Sequence, residues 1–90
     1  MRLERSPIEG KKWRAVFKDG GHTDFGSAGM DDYTLTKDKA QRERYIARHR
    51  ANENWNDGRS AGALARFILW GDSTSRAENL RQYKIRFPSL

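Results

Sequence analysis

The sequence predicts an α+β fold: a small single domain in which an N-terminal β-hairpin packs on about three short helices. Three observations carry this prediction. Trp13, Ala15 and Phe17 alternate with Arg14, Val16 and Lys18 ahead of Asp19-Gly20-Gly21, the period of a half-buried strand running into a turn. Ala61 to Trp70 is the one sustained apolar run, with Ser60 before it and Gly71 after it, a natural N-cap and a natural C′ residue. Ser75-Arg76-Ala77-Glu78 fits a capping box, and opens a helix whose Ala77, Leu80, Tyr83 or Lys84, and Phe87 follow helical spacing up to Pro88.

Taken in order, residues 1–11 read as an extended N-terminal arm and residues 12–90 as the domain. The arm carries Arg2, Glu4, Arg5, Ser6, Pro7, Glu9 and Gly10, and such an arm frays unless something holds it. The hairpin spans Lys12 to Phe25. A three-residue loop at Asp19-Gly20-Gly21 pairs Phe17 with Thr23 and Ala15 with Phe25. A two-residue Asp-Gly loop would instead pair Phe17 with His22 and Ala15 with Asp24. The three-residue loop is preferred, because it gathers Trp13, Ala15, Phe17, Thr23 and Phe25 on one face, and a one-residue slip would scatter them. Arg14 and Lys18 are then expected in solvent.

Gly26 to Tyr33 is a loop. A helix follows from roughly Thr36 to Asn52, with Asp38 in its first turn, where a negative charge suits the helix dipole. Its apolar content is thin, namely Ala40, Tyr45, Ile46 and Ala47. Asn52 to Arg59 reads as a loop anchored by Trp55. The run from Ala61 to Trp70 makes about 15 Å of helix. Leu64, Phe67, Ile68 and Leu69 cover most of its circumference, so it is expected to be wrapped on several sides as the core. A membrane helix needs roughly 20 apolar residues, so this run does not span a bilayer.

Composition limits the function classes. Only 36% of the residues are hydrophobic and 33% are charged, yet ten are aromatic, enough for a compact centre and against disorder. With no cysteine, disulfides, thiolate metal sites and a cysteine nucleophile are excluded. No apolar h-region marks a secretory signal, so synthesis inside a cell is expected. The net charge of +6 favours anionic partners: nucleic acid, phospholipid head groups or an acidic protein surface.

His22-Thr23-Asp24-Phe25-Gly26, then Asp32-Tyr33-Thr34 with Lys37-Asp38, then Tyr45-Ile46 with Arg48-His49 and Glu53-Asn54-Trp55 form a distinctive series. The run from Ala61-Gly62 to Leu69-Trp70 completes it. In this order the motifs resemble an uncharacterised family of small basic proteins encoded by large DNA viruses of eukaryotes, including algal and amoebal viruses. The resemblance covers roughly Lys12 to Phe87. It implies a viral origin, a virion location and synthesis in the host cytoplasm or virus factory, and it supplies no biochemical activity.

Residue chemistry supplies no reaction either. His22, Asp24, His49 and Glu53 are the one set whose types and spacing could bind a metal. The expectation is that they do not converge. His22 and Asp24 then face solvent, and His49 hydrogen-bonds a loop carbonyl. Ser60, Ser73 and Ser75 read as caps, not nucleophiles. Gly26-Ser27-Ala28-Gly29 lacks the Lys-Ser/Thr ending of a phosphate loop. Trp13, Trp55 and Trp70 could stack on single strands, but at this spacing they read as core. No enzyme and no cofactor are expected.

Lys37, Lys39, Arg42, Arg44, Arg48 and Arg50 are the candidate anion-binding residues. The first expectation is a virion-associated structural protein, a minor capsid or cement-like component in a larger assembly with neighbouring capsid proteins. It is favoured because the positive charges surround the helix, which suits contact with several neighbours. The alternative is a nucleic-acid-binding protein that coats or condenses the viral genome, and the third reading is a metal-dependent enzyme.

Overall fold

Two alternating stretches do form a hairpin, and a third strand completes a sheet. In a computed structural model describing all 90 residues, β1 (Arg2–Arg5), β2 (Lys11–Val16) and β3 (His22–Ser27) make an antiparallel sheet in the order β1-β2-β3. Arg2–Arg5, within the expected arm, is a strand of this sheet and pairs along β2 with Leu3 opposite Ala15 and Arg5 opposite Trp13. Backbone pairing holds it where few apolar side chains are available.

The hairpin register differs from the preferred one by two residues. Trp13 lies opposite Phe25 and Ala15 opposite Thr23. The loop is still three residues long, but it is Lys18-Asp19-Gly20. Phe17 N donates to Gly21 O at 2.8 Å, and Gly20 N donates to Phe17 O at 3.0 Å. The Asp19 carboxylate accepts from Gly21 N at 2.9 Å, and Gly20 takes the left-handed conformation with φ +87°, the conformation a three-residue hairpin needs after its first turn. A shift of two keeps every side chain on its face. Ala15, Phe17 and Phe25 are accordingly buried, and Trp13 is half-buried. Lys18 is exposed, but Arg14 is not: it lies half-buried against Asp24.

Helix α1 (Tyr33–Thr36) is a single turn capped by Asp32, whose carboxylate accepts from Thr34 N at 2.9 Å. Asp32 is buried and also takes the Lys12 ammonium at 2.7 Å. Helix α2 (Lys39–His49) starts afresh after Lys37, which adopts φ 57°. The expected helix from Thr36 is therefore broken at Lys37. Asp38 is the N-cap of α2 and not a first-turn residue, and accepts from Gln41 N at 3.1 Å. Ser60 caps α3 (Ala61–Leu64) through Ala63 N, as expected.

Helix α3 widens into a π-helical turn over Ala65–Leu69, in which Trp70 N donates to Ala65 O at 3.0 Å. Such a turn leaves carbonyls off the regular ladder, and side chains take those at and just after its end. Asn79 Nδ2 donates to Ile68 O, Arg66 Nη1 to Trp70 O, and Arg42 Nε to Gly71 O. Helix α4 (Arg76–Arg86) carries Asn79 and is capped by Ser75 through Glu78 N. Gly71 is closed in by the Phe67 carbonyl and Asn79, leaving no room for a Cβ. The core is built from Ala15, Phe17 and Phe25 of the hairpin, Leu64, Ile68, Leu69 and Trp70 of the central segment, and Tyr83 of α4. Phe67, expected at its centre, is half-buried. No helix is long and apolar enough to cross a membrane.

A buried tyrosine, Tyr83, and a half-buried one, Tyr45, give the fold a measurable alkaline limit. Tyr83 donates to Gly58 O at 2.7 Å, and burial pushes its phenol above the ordinary value. Burial, with Glu53 adding, pushes Tyr45 up to about 12. An unfolded phenol ionises near ~10, so folding favours the protonated forms. Their stabilisation is complete below that pH and is lost for Tyr45 as pH rises through about 12. Ultraviolet titration should show Tyr45 and Tyr83 ionising together with loss of the native circular dichroism. Ionisation of both near pH ~10 in a folded chain would contradict this.

Candidate functional site

The first turn of α2 is fixed by the Asp38 cap, and its sequence then divides the helix lengthwise. Arg42, Tyr45, Ile46 and His49 recur at the spacing of one helix face, and this face meets the protein. Ile46 is buried. Tyr45 stacks on Trp70 at a centroid distance of 4.3 Å and on His49 at 4.2 Å, so three rings lie one on another. The opposite face presents Ala40, Arg44, Ala47 and Arg48, all exposed. Lys39, Glu43 and Arg50 flank it, and Lys37 stands exposed just before it.

Arg42 leaves the predicted anion-binding set. Its side chain is only 12% exposed. The guanidinium donates to Gly71 O at 2.8 Å and Trp70 O at 3.2 Å, and pairs with Asp72 at 2.9 Å. A planar fork with five donors can serve two carbonyls and a carboxylate at once, and the end of the central helix supplies that demand. Arg42→Ala should cost about 1.5–3 kcal/mol, the range for hydrogen bonds to a charged group, read as a lower urea midpoint. An unchanged midpoint would contradict the capping role.

The other five predicted residues remain together. Lys37, Lys39, Arg44, Arg48 and Arg50 form no ion pair within the chain. The acids are distributed differently. Asp19, Asp24, Asp32, Glu43, Asp72 and Glu78 are each engaged by an arginine or lysine. Those six acids are held in local pairs and Asp38, between Lys37 and Lys39, caps α2, while the five α2 cations form no pair. Two small alanines lie between the cation rows, so a phosphate backbone can approach the helix closely.

The four metal candidates form two pairs. His22 Nε2 lies 3.9 Å from Asp24 on the sheet, and His49 Nδ1 lies 3.5 Å from Glu53 beyond α2. Asp24 is already held by Arg14 through both oxygens, at 3.0 and 3.1 Å, and by Ser6 Oγ at 2.6 Å. Arg14, then Ser6, hold its carboxyl below the ordinary range. No group of three or more His, Asp or Glu side chains is placed to share an ion. A groove of ≈ 510 Å³ runs beside α2, with Tyr45, Arg48, His49, Glu53, Met30 and Trp70 among its walls.

The tryptophans are not open platforms. Trp70 is 8% exposed. Trp13 has the Arg76 guanidinium 3.9 Å and the Arg5 guanidinium 5.3 Å from its ring centre. Trp55 meets Phe67 edge to face at 6.3 Å. Sequence reasoning missed Asn79, a buried amide serving the central helix, and the inward turn of Arg42. Its spacing on the face shared by Tyr45, Ile46 and His49 was the signal for the latter.

Residues 1–49 match the model of a family described as a family of unknown function, DUF5754, and the chain belongs to that family. No curated protein and no solved structure matches the chain.

Proposed function

We propose that the protein is a non-enzymatic binding protein of a viral particle, and that nucleic acid is the polyanion it engages through the outward face of α2. The observation that supports this best is that Lys37, Lys39, Arg44, Arg48 and Arg50 form no ion pair within the chain. The charges do not surround α2 equally, because Arg42 turns into the protein. What remains is a helix face suited to lie along phosphates. The particle context rests on the motif resemblance alone. Contacts of this kind read phosphate and not base edges, so the expected activity is coating or condensing a genome without sequence choice. Duplex DNA of two unrelated sequences, titrated at physiological salt, should bind alike, in the ~10⁻⁴–10⁻⁶ M range of backbone-driven association. Absence of binding at low salt would reject the reading.

A second reading, a minor capsid or cement-like component bound to neighbouring capsid proteins, is favoured by one feature. Strand β1 forms an outer edge of the sheet, and an edge strand can pair with another chain. Particle disruption separates the two: the protein leaves with the genome in the first reading and stays with the shell in the second.

A further inference from the structure

We propose that the protein has a phosphomonoester site away from the α2 face, in the groove between the central helix and α4, where Arg66 and Arg86 converge on Phe67. The Arg66 and Arg86 guanidinium carbons lie 5.0 and 4.0 Å from the centre of the same Phe67 ring. The groove beside them measures ≈ 340 Å³ and is completed by Gln82, Ile85 and Asp72, a size within the usual range of small-ligand pockets, roughly 300–1,000 Å³.

Arg66 is under-satisfied and Arg86 is unpaired. Arg66 Nη1 donates to Trp70 O at 2.9 Å, an acceptor it shares with Arg42. Its Nε is buried without any partner, a costly state for a charged group. Arg86 is exposed and has no ion pair. The acid nearest to hand, Asp72, is engaged by Arg42 and points largely into solvent, its side chain 79% exposed. Burial, and next the charges of Arg42 and Arg86, hold Arg66 below the ordinary guanidinium value, with Asp72 opposing. The groove therefore brings together two guanidinium groups, with Asp72 the one acid on its wall.

The charge count selects the ligand class. A carboxylate brings one negative charge, whereas a phosphomonoester carries about −1.5 to −2 near neutral pH and matches the guanidinium fork with several oxygens. Phe67 and the exposed Ile85 offer an apolar wall for the organic part. Such a group can come from a free phosphorylated metabolite or from the phosphorylated end of a nucleic-acid strand.

The test follows the side-chain Nε–H resonances of Arg66 and Arg86 by nuclear magnetic resonance. Inorganic phosphate, adenosine monophosphate and a short oligonucleotide with or without a 5′-phosphate are added at constant ionic strength. The oligonucleotide arm uses the Arg44→Gln/Arg48→Gln variant, which weakens the contacts on α2, and the comparison with and without the 5′-phosphate cancels those that Lys37, Lys39 and Arg50 retain. Saturable shifts of both resonances with phosphate or the mononucleotide would assign the site to a free phosphomonoester. Shifts only with the 5′-phosphorylated strand would assign it to a strand end. In either case Arg86→Gln should weaken binding about tenfold, the loss of a charged hydrogen bond. Arg86 is exposed, so this variant keeps the fold. No saturable shift with any of these probes, or equal affinity in Arg86→Gln, would overturn the proposal. DNA binding by α2 would be unaffected by that failure.

Discussion

Asn79→Leu should destabilise the protein by about 3 kcal/mol, and more than any surface substitution on the same helix. The Asn79 side chain is wholly buried and makes three hydrogen bonds. Nδ2 donates to Ile68 O at 2.9 Å and Ser73 O at 2.7 Å, and Oδ1 accepts from Ser73 N at 3.0 Å. Leucine keeps the volume and removes all three partners. The Ile68 carbonyl is then stranded in the core, and an unsatisfied buried group costs about 1–3 kcal/mol, with about 1 kcal/mol for each further bond. For a domain of this size the melting temperature falls roughly 4–8 °C per kcal/mol. Asn79→Asp should do no better, because it keeps the acceptor, loses the donor and brings a charge into the interior. A melting temperature for Asn79→Leu within about 2 °C of the parent would show that Asn79 is not the clasp of the central helix.

Leu64→Ala and Ile68→Ala should each cost about 2–5 kcal/mol, the range for emptying a fully buried aliphatic site. Both side chains are fully buried, between the sheet and α4. A small domain holds only about 5–15 kcal/mol in total, so either variant approaches the limit of folding. Phe67→Ala should cost less, although the sequence placed Phe67 at the centre. Its ring is half-buried, with guanidinium groups against it. Urea denaturation of the three variants orders them directly. A Phe67→Ala loss larger than that of Ile68→Ala would contradict the packing described.

The α+β class was legible because each signal was local. Ser60 and Ser75 stand at N-caps, and the two-residue period of Trp13, Ala15 and Phe17 survives a register shift of two. The register itself was not legible. Asp19-Gly20-Gly21 offers two glycines for one left-handed position, and only the Asp19 bond to Gly21 N decides which is used. The break at Lys37 was hidden for a similar reason: a lysine gives no local sign that it will take a positive φ. The π-helical turn could not be read either, because its loose carbonyls are satisfied by Arg42 and Asn79 from distant parts of the chain. Of the candidate site, the cationic residues were visible as composition. Which of them face outward depended on tertiary demand for donors at the end of the central helix, and that demand claimed Arg42. His49 was expected to bond a loop carbonyl and instead lies 3.5 Å from Glu53, although α2 ends at His49, and Asp24, expected in solvent, is half-buried beside His22. What spacing could not show is that Arg14 and Ser6 already occupy Asp24.

If α2 meets phosphates with its outward face while Arg42 serves the fold, the salt dependence of duplex DNA binding in the parent and in Arg44→Gln/Arg48→Gln is the most direct test. Each phosphate neutralised contributes about 0.9 to the slope of log affinity against log salt. The double variant should therefore lose roughly two units of slope with an unchanged melting temperature. A slope that stays the same in the double variant, or a parent affinity that does not respond to salt, would contradict the claim.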